Sequence, residues 1–247
     1  MDFSPLLALI TRAPGYAELK GTLQSETGSA LRHGRPLGLL RAARPALLAA
    51  LAQDLSRPLL VVVATAERSR ALTESLRAWM ADPTRLHRFP EPNALFYERA
   101  PWTQEVVVGR LQVLAALLEP GDRPPVVVTS VRALMQATLP PRQFRLGTRT
   151  LRRGQLTSME KLVAAWMGLG YRPATVVEEP GQFSRRGGIL DVYPPTDEGP
   201  VRIEFFGDEV ESLRRFDPAT QRSRERLERV TIPPASEALP RLGPAIA

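Results

Sequence analysis

RPLLVVVATAERSRALTESLRAWM, Arg57 to Met80, joins a short apolar run to a helical pattern. Leu59 to Val63 holds only branched aliphatic side chains, which predicts a strand buried on both faces rather than a half-exposed one. Leu72, Leu76, Trp79 and Met80 then fall at i, i+4, i+7 and i+8, one face of an amphipathic helix. Similar signals flank this unit. PALLAALAQDL (45–55) reads as a helix, with Pro45 suited to its first turn. After the loop FPEPNALFYERAPWTQ (89–104), EVVVGRLQVLAALLEP (105–120) reads as helix and PPVVVTS (124–130) as a second buried strand, with Ser130 placed to cap VRALMQ. Strands separated by helices predict a parallel sheet covered on both faces.

Around LPPRQFRLGTRTLRRGQ (139–155) the pattern changes. TSMEKLVAAWMGLGY (157–171) is predicted to be a helix: Thr157 and Glu160 have capping-box spacing, Leu162, Trp166 and Leu169 share a face, and glycine ends it. Strand and turn signals follow in ATVVEE (174–179), the turn PGQ, GGILDVYPP (187–195) and VRIEFFGDEVESLRRFDPATQ (201–221), with turns at Gly207-Asp208 and Asp217-Pro218. The chain is therefore divided into an α/β domain at 1–145, a small antiparallel α+β domain at 146–235, and a linker at 236–247.

Composition narrows the function classes. The 247 residues are 43% hydrophobic, enough for buried cores, yet no apolar run is long enough for a membrane span and the N-terminus lacks a signal-peptide pattern. A cytoplasmic protein with no membrane partner is expected. The absence of cysteine excludes disulfides and thiolate chemistry, and with only two histidines, His33 and His87, no metal site or other cofactor is expected. The net charge is +7, and the excess lies early: residues 1–145 carry 18 basic and 12 acidic side chains, residues 146–235 carry 14 and 13. Direct DNA binding by a basic first domain is one reading of that asymmetry.

GLLRAARP, Gly38 to Pro45, has the outline of a phosphate-binding loop, G-x-x-x-x-G-K-[ST], with the working letters changed. Aligned on Gly38, Ala43 replaces the second glycine, Arg44 the lysine and Pro45 the hydroxyl that holds magnesium. Proline also removes a backbone donor. Downstream, Thr129 and Ser130 stand where an ATPase carries an acidic pair after a buried strand. The octet is either an exposed basic loop ahead of a helix or the vestige of a nucleotide site.

The segment GQFSRRGGILDVYPPTDEGPVRIEFFGDEVESLRRFDPATQRS, Gly181 to Ser223, resembles the homology domain shared by UvrB and the bacterial transcription-repair coupling factors, the Mfd family. SRPLLVVVATAERSRAL, FPEPNALFYERAPWTQEVVVGRLQVL and VVVTSVRALMQATLPPRQF resemble the first domain of that family, so the likeness covers most of the chain. It implies a degenerate RecA/helicase-like parallel-sheet domain without a working Walker A, and a smaller antiparallel α+β domain inserted as in UvrB domain 2. The implied role is that of a non-catalytic adaptor, recruiting UvrA to RNA polymerase stalled at DNA lesions in nucleotide excision repair. The resemblance places RNA polymerase binding and ATP-dependent DNA translocation in other parts of longer family members. A UvrB-related ATP-dependent helicase fragment is the alternative, and it predicts nucleotide binding at Gly38–Pro45.

Alternation along VRIEFF puts Val201, Ile203 and Phe205 on one face and Arg202, Glu204 and Phe206 on the other. Phe206 is either an interface anchor or a core residue tucked under the turn at Gly207. Arg185 and Arg186 read as solvated charges, although Gly187-Gly188 permits a bend that aims a neighbour outward. Asp191, Glu204, Asp208, Glu209 and Glu211 lack any catalytic companion and read as surface charge. The resemblance implies that Arg186, Arg202 and Phe206 contact UvrA.

Overall fold

The structure, a computed structural model, describes residues 2–25, 37–92, 102–118, 121 and 123–237. Much of the predicted 89–104 loop and the linker beyond 237 lie outside the described residues. In chain order the helices and strands begin with α1 (Leu7–Thr11), α2 (Tyr16–Ser25), α3 (Arg44–Asp54), β1 (Leu59–Val63), α4 (Ala66–Arg77) and β2 (Leu86–Phe89). Then come α5 (Gln104–Leu118), β3 (Val126–Ser130), α6 (Val131–Leu134), α7 (Pro141–Gly147), β4 (Arg149–Arg152) and α8 (Met159–Gly168). The rest is strand: β5 (Arg172–Pro173), β6 (Gln182–Arg186), β7 (Ile189–Val192), β8 (Val201–Phe206), β9 (Glu209–Phe216), β10 (Ser223–Leu227) and β11 (Arg229–Ile232). They fall into two compact units, residues 1–91 with 119–135 and residues 92–118 with 136–247.

The first unit is built on a three-stranded parallel sheet in the order β1-β3-β2. β3 lies between the other two, and all five of its residues are buried: Val126, Val127, Val128 and the hydrogen-bonded Thr129 and Ser130. The predicted helices form, and two of them are capped by side chains: the Thr65 hydroxyl accepts from Arg68 N–H at α4, and the Ser130 hydroxyl from Ala133 N–H at α6, while α3 follows Ala43 with Pro45 in its first turn. Leu76 and Met80 of the α4 stripe join Ala49, Ala50, Leu51, Val126 and Val128 in one core. Two features depart from expectation. β2, with His87 and Arg88 at its centre, carries no strand pattern of its own and is a strand because β3 pairs with it. Cover on both faces holds at β3 but not at β1, where Leu60 is 54% and Val62 44% exposed.

The second unit does not begin at residue 146. α5 and α7 belong to it, because Leu111 and Phe144 are buried in the same core as Leu162, Trp166, Leu190, Ile203 and Leu213. Six strands form a sheet in the order β10-β9-β8-β7-β6-β5, antiparallel except for the β5–β6 pair, and β11 pairs with β4 in a separate ribbon. The predicted strand at 174–179 does not form. Instead Gln182 Oε1 accepts from Glu178 N–H at 2.9 Å and Glu179 N–H at 3.1 Å, folding the segment into the turn at Pro180-Gly181. The cap of α8 is Ser158 rather than Thr157: its hydroxyl accepts from Lys161 N–H, while Thr157 N–H donates to Asp208 O at 2.7 Å.

The fold also reaches past residue 235. Tyr171 is buried, its hydroxyl donates to Pro233 O at 2.8 Å, and burial raises its pKa well above the ordinary phenol value. Ala235 N–H donates to Leu169 O at 2.9 Å, and Glu237 is buried. Gly170 makes this approach possible, with φ +88° and only 2.6 Å between a Cβ built on it and the Ser236 Cβ. Gly170→Ala combines left-handed backbone strain with that clash and is expected to destabilise the unit by about 2 kcal/mol. A urea unfolding midpoint measures it, and an unchanged midpoint contradicts the packing described for Ser236.

Candidate partner-binding face

Gly38, Ala43, Arg44 and Pro45 lie in an irregular segment that runs through a 3-10 turn at Arg41–Ala43 into α3. The backbone donors that a phosphate cradle would present are used inside the turn: Ala43 N–H donates to Leu40 O at 3.0 Å, and Arg44 N–H to Arg41 O. Pro45 is buried and has no N–H to give. Gly38 and Ala43 border a cavity of about 300 Å³ whose other walls include Ile10, Leu19, Leu39 and Leu47. At the end of β3, Thr129 Oγ1 donates to Phe89 O at 3.0 Å and Ser130 Oγ to Glu91 Oε2 at 2.6 Å. These hydroxyls tie the end of β3 to the end of β2 and the residues after it, and Ser130 Oγ also caps α6.

In the second unit the register brings the three arginine and aromatic candidates to one sheet face. Val201 and Ile203 are buried and Phe205 packs against the same core, so Arg202, Glu204 and Phe206 take the opposite side. On that side Asp191 pairs with Arg202, and Arg186 with Ile189, which in turn pairs with Glu204. Arg186 and Phe206 therefore stand about 12 Å apart at the same end of the sheet, two strands across and one repeat along.

Two hairpins aim them. Gly187, at φ +57°, turns β6 into β7 directly after Arg186, and a Cβ on Gly188 would meet Phe205 O at 3.1 Å. Gly207, at φ +62°, turns β8 into β9 directly after Phe206. Phe206 is 79% exposed and is not tucked under its turn. Arg186 is exposed and donates to Thr175 O at 2.9 Å, while Arg185 forms an exposed ion pair with Glu160 at 2.9 Å.

Arg202 is held differently. Its Nε and Nη2 each donate to Asp191 at 2.8 Å, and its guanidinium lies over the Phe216 ring, 4.8 Å from the centroid. Its hydrogen bonds to the Asp191 carboxylate raise its pKa above the ordinary arginine value against a smaller opposing effect of burial. Asp191 is 3% exposed and is not surface charge: pairing with Arg202 is what makes its burial tolerable. Sequence reasoning missed this partner and missed Phe216, although Asp191 and Arg202 sit at matching positions of adjacent strand patterns. Glu204, by contrast, is part-exposed, accepts from Ser212 Oγ at 2.5 Å and lies 3.6 Å from Arg214. The face presents a free aromatic ring beside one accessible guanidinium and one braced guanidinium, suited to a protein surface rather than to acid/base chemistry.

A family model described as the UvrB interaction domain matches residues 150–237. The transcription-repair-coupling factor of Myxococcus xanthus is 34% identical over 252 residues, covering 94% of this chain and 21% of that protein. The Mycobacterium bovis protein of the same name is 40% identical over 77% of this chain and 16% of its own length. The Bacillus subtilis protein of that name is 32% identical over 82% and 17%. The chain thus spans about a fifth of the length of the curated relatives it matches.

Proposed function

From the premise that this chain is a homologue of the transcription-repair-coupling factors carrying a UvrB interaction domain at residues 150–237, we propose that it is a non-catalytic adaptor that binds UvrA in transcription-coupled repair. The observation that carries the reading is the exposure of Phe206 beside Arg186 on the outer sheet face of the matched domain. Phe206 enters an apolar pocket of UvrA, Arg186 meets an acidic group at its rim, and Arg202, on the same face, ties β8 to β7 through Asp191. In this reading the first unit is a degenerate helicase-like domain, and engagement of RNA polymerase and translocation on DNA belong to other parts of the longer relatives.

No nucleotide takes part. Support comes from the internal use of the Ala43 and Arg44 donors and from the apolar walls beside Gly38. Titration of the chain into UvrA by calorimetry is expected to give a saturable complex, weakened about tenfold by Arg186→Ala, within the range for an interface arginine. Absence of a complex with the wild-type chain contradicts the proposal. Heat of binding with magnesium-ATP would instead favour the ATP-dependent helicase reading.

A further inference from the structure

We propose that the exposed face of the β4–β11 ribbon contacts the phosphate backbone of nucleic acid, at a site separate from Arg186, Arg202 and Phe206. Arg152 and Arg229 carry the inference. They are direct partners in the antiparallel register. At the next position Arg153 N–H donates to Glu228 O at 3.2 Å, so that pair is of the hydrogen-bonded kind, and alternation makes Arg152 and Arg229 the closer, non-hydrogen-bonded kind. Consistently, Arg152 N–H turns away to Gln155 Oε1 at 3.0 Å. Two like charges so placed oppose strand pairing. Both side chains are exposed, and among the described residues neither has an ion pair.

Two residues along the same face, Thr150 and Thr231 oppose each other with Oγ1 atoms 3.2 Å apart. Leu151, Val230 and Ile232 are buried on the other side, and alternation sets Glu228 on that side as well, away from Arg229. The face therefore offers two guanidinium forks and two hydroxyls, with no apolar side chain among them. A protein partner draws its affinity from a desolvated anchor, which this face lacks. Phosphate oxygens are met by arginine and by serine or threonine hydroxyls, and an anionic oxygen between the two arginines relieves their repulsion. The contact reads no bases. It departs from the expectation that DNA is met only by other parts of a longer chain, and it does not depend on the UvrA reading.

The test uses the 247-residue chain and its R152Q/R229Q variant, each titrated with fluorescent duplex DNA of arbitrary sequence between about 50 and 200 mM salt. A polyglutamate peptide is titrated in parallel. The wild type is expected to bind the duplex, and the slope of log K against log salt is expected to be shallower by about two in the variant, one for each lost phosphate contact. The variant should melt no lower than wild type, because a like-charge pair has been removed, and should bind UvrA as wild type does. No duplex binding by the wild type, or an unchanged slope in the variant, overturns the proposal. So does loss of polyglutamate binding with duplex binding retained, which assigns the face to an acidic protein. Loss of UvrA binding on changing Phe206 leaves this site unaffected, so the two readings fail separately.

Discussion

Arg110→Ala is expected to lower the stability of the second unit by about 3–5 kcal/mol, the range for breaking a buried ion pair from one side. Arg110 is fully buried on α5, and its Nε donates to Glu237 Oε1 at 2.5 Å and its Nη2 to Oε2 at 3.1 Å. Thr138 also donates to Glu237, and the guanidinium carbon lies over the Trp102 ring, 4.9 Å from its centroid. Alanine leaves the Glu237 carboxylate buried without its counter-charge, which is the main source of the loss. The double variant Arg110→Met/Glu237→Leu removes both charges and is expected to recover most of it. Urea unfolding followed by tryptophan fluorescence separates the two cases. Equal destabilisation by the single and double variants would show that α5 is held by apolar packing alone.

Arg202→Ala is expected to cost about 3 kcal/mol for the same physical reason, since it strips two 2.8 Å hydrogen bonds from a buried Asp191. The cation over Phe216 is lost with it. UvrA affinity falls too, but through the shape of the β7–β8 face. Arg202→Lys keeps the charge and loses the fork, so an intermediate stability is expected. A double-mutant cycle with Asp191→Ala measures the coupling. A coupling energy near zero would return Arg202 to the role of a simple surface contact.

Helices and buried strands were legible wherever side-chain period and burial agree, as in the α4 stripe and the all-buried β3. Elements whose form depends on a distant partner were not. β2 owes its strand state to β3, and residues 174–179 lose theirs to the Gln182 side chain. The boundary at 145 failed because the apolar face of α5 does not state which core it enters. Arg110 and Glu237, 127 positions apart, settle that question only in three dimensions.

The candidate face shows the same division. Alternation in VRIEFF correctly separated Val201 and Ile203 from Arg202 and Phe206, because a strand has only two sides. It did not distinguish an arginine that meets solvent from one that serves a buried carboxylate. That difference changes what a substitution reports. An alanine at 202 perturbs the fold, whereas an alanine at 206 removes an exposed ring and little else.

Phe206→Ala is therefore the most direct measurement of the adaptor reading, made as a UvrA titration alongside a melting curve of the same variant. The expected result is a loss of at least about 2 kcal/mol in binding, some thirtyfold in Kd, with melting unchanged because the ring is already exposed. Wild-type affinity for UvrA in a variant that melts normally would contradict the placement of the interface on this face.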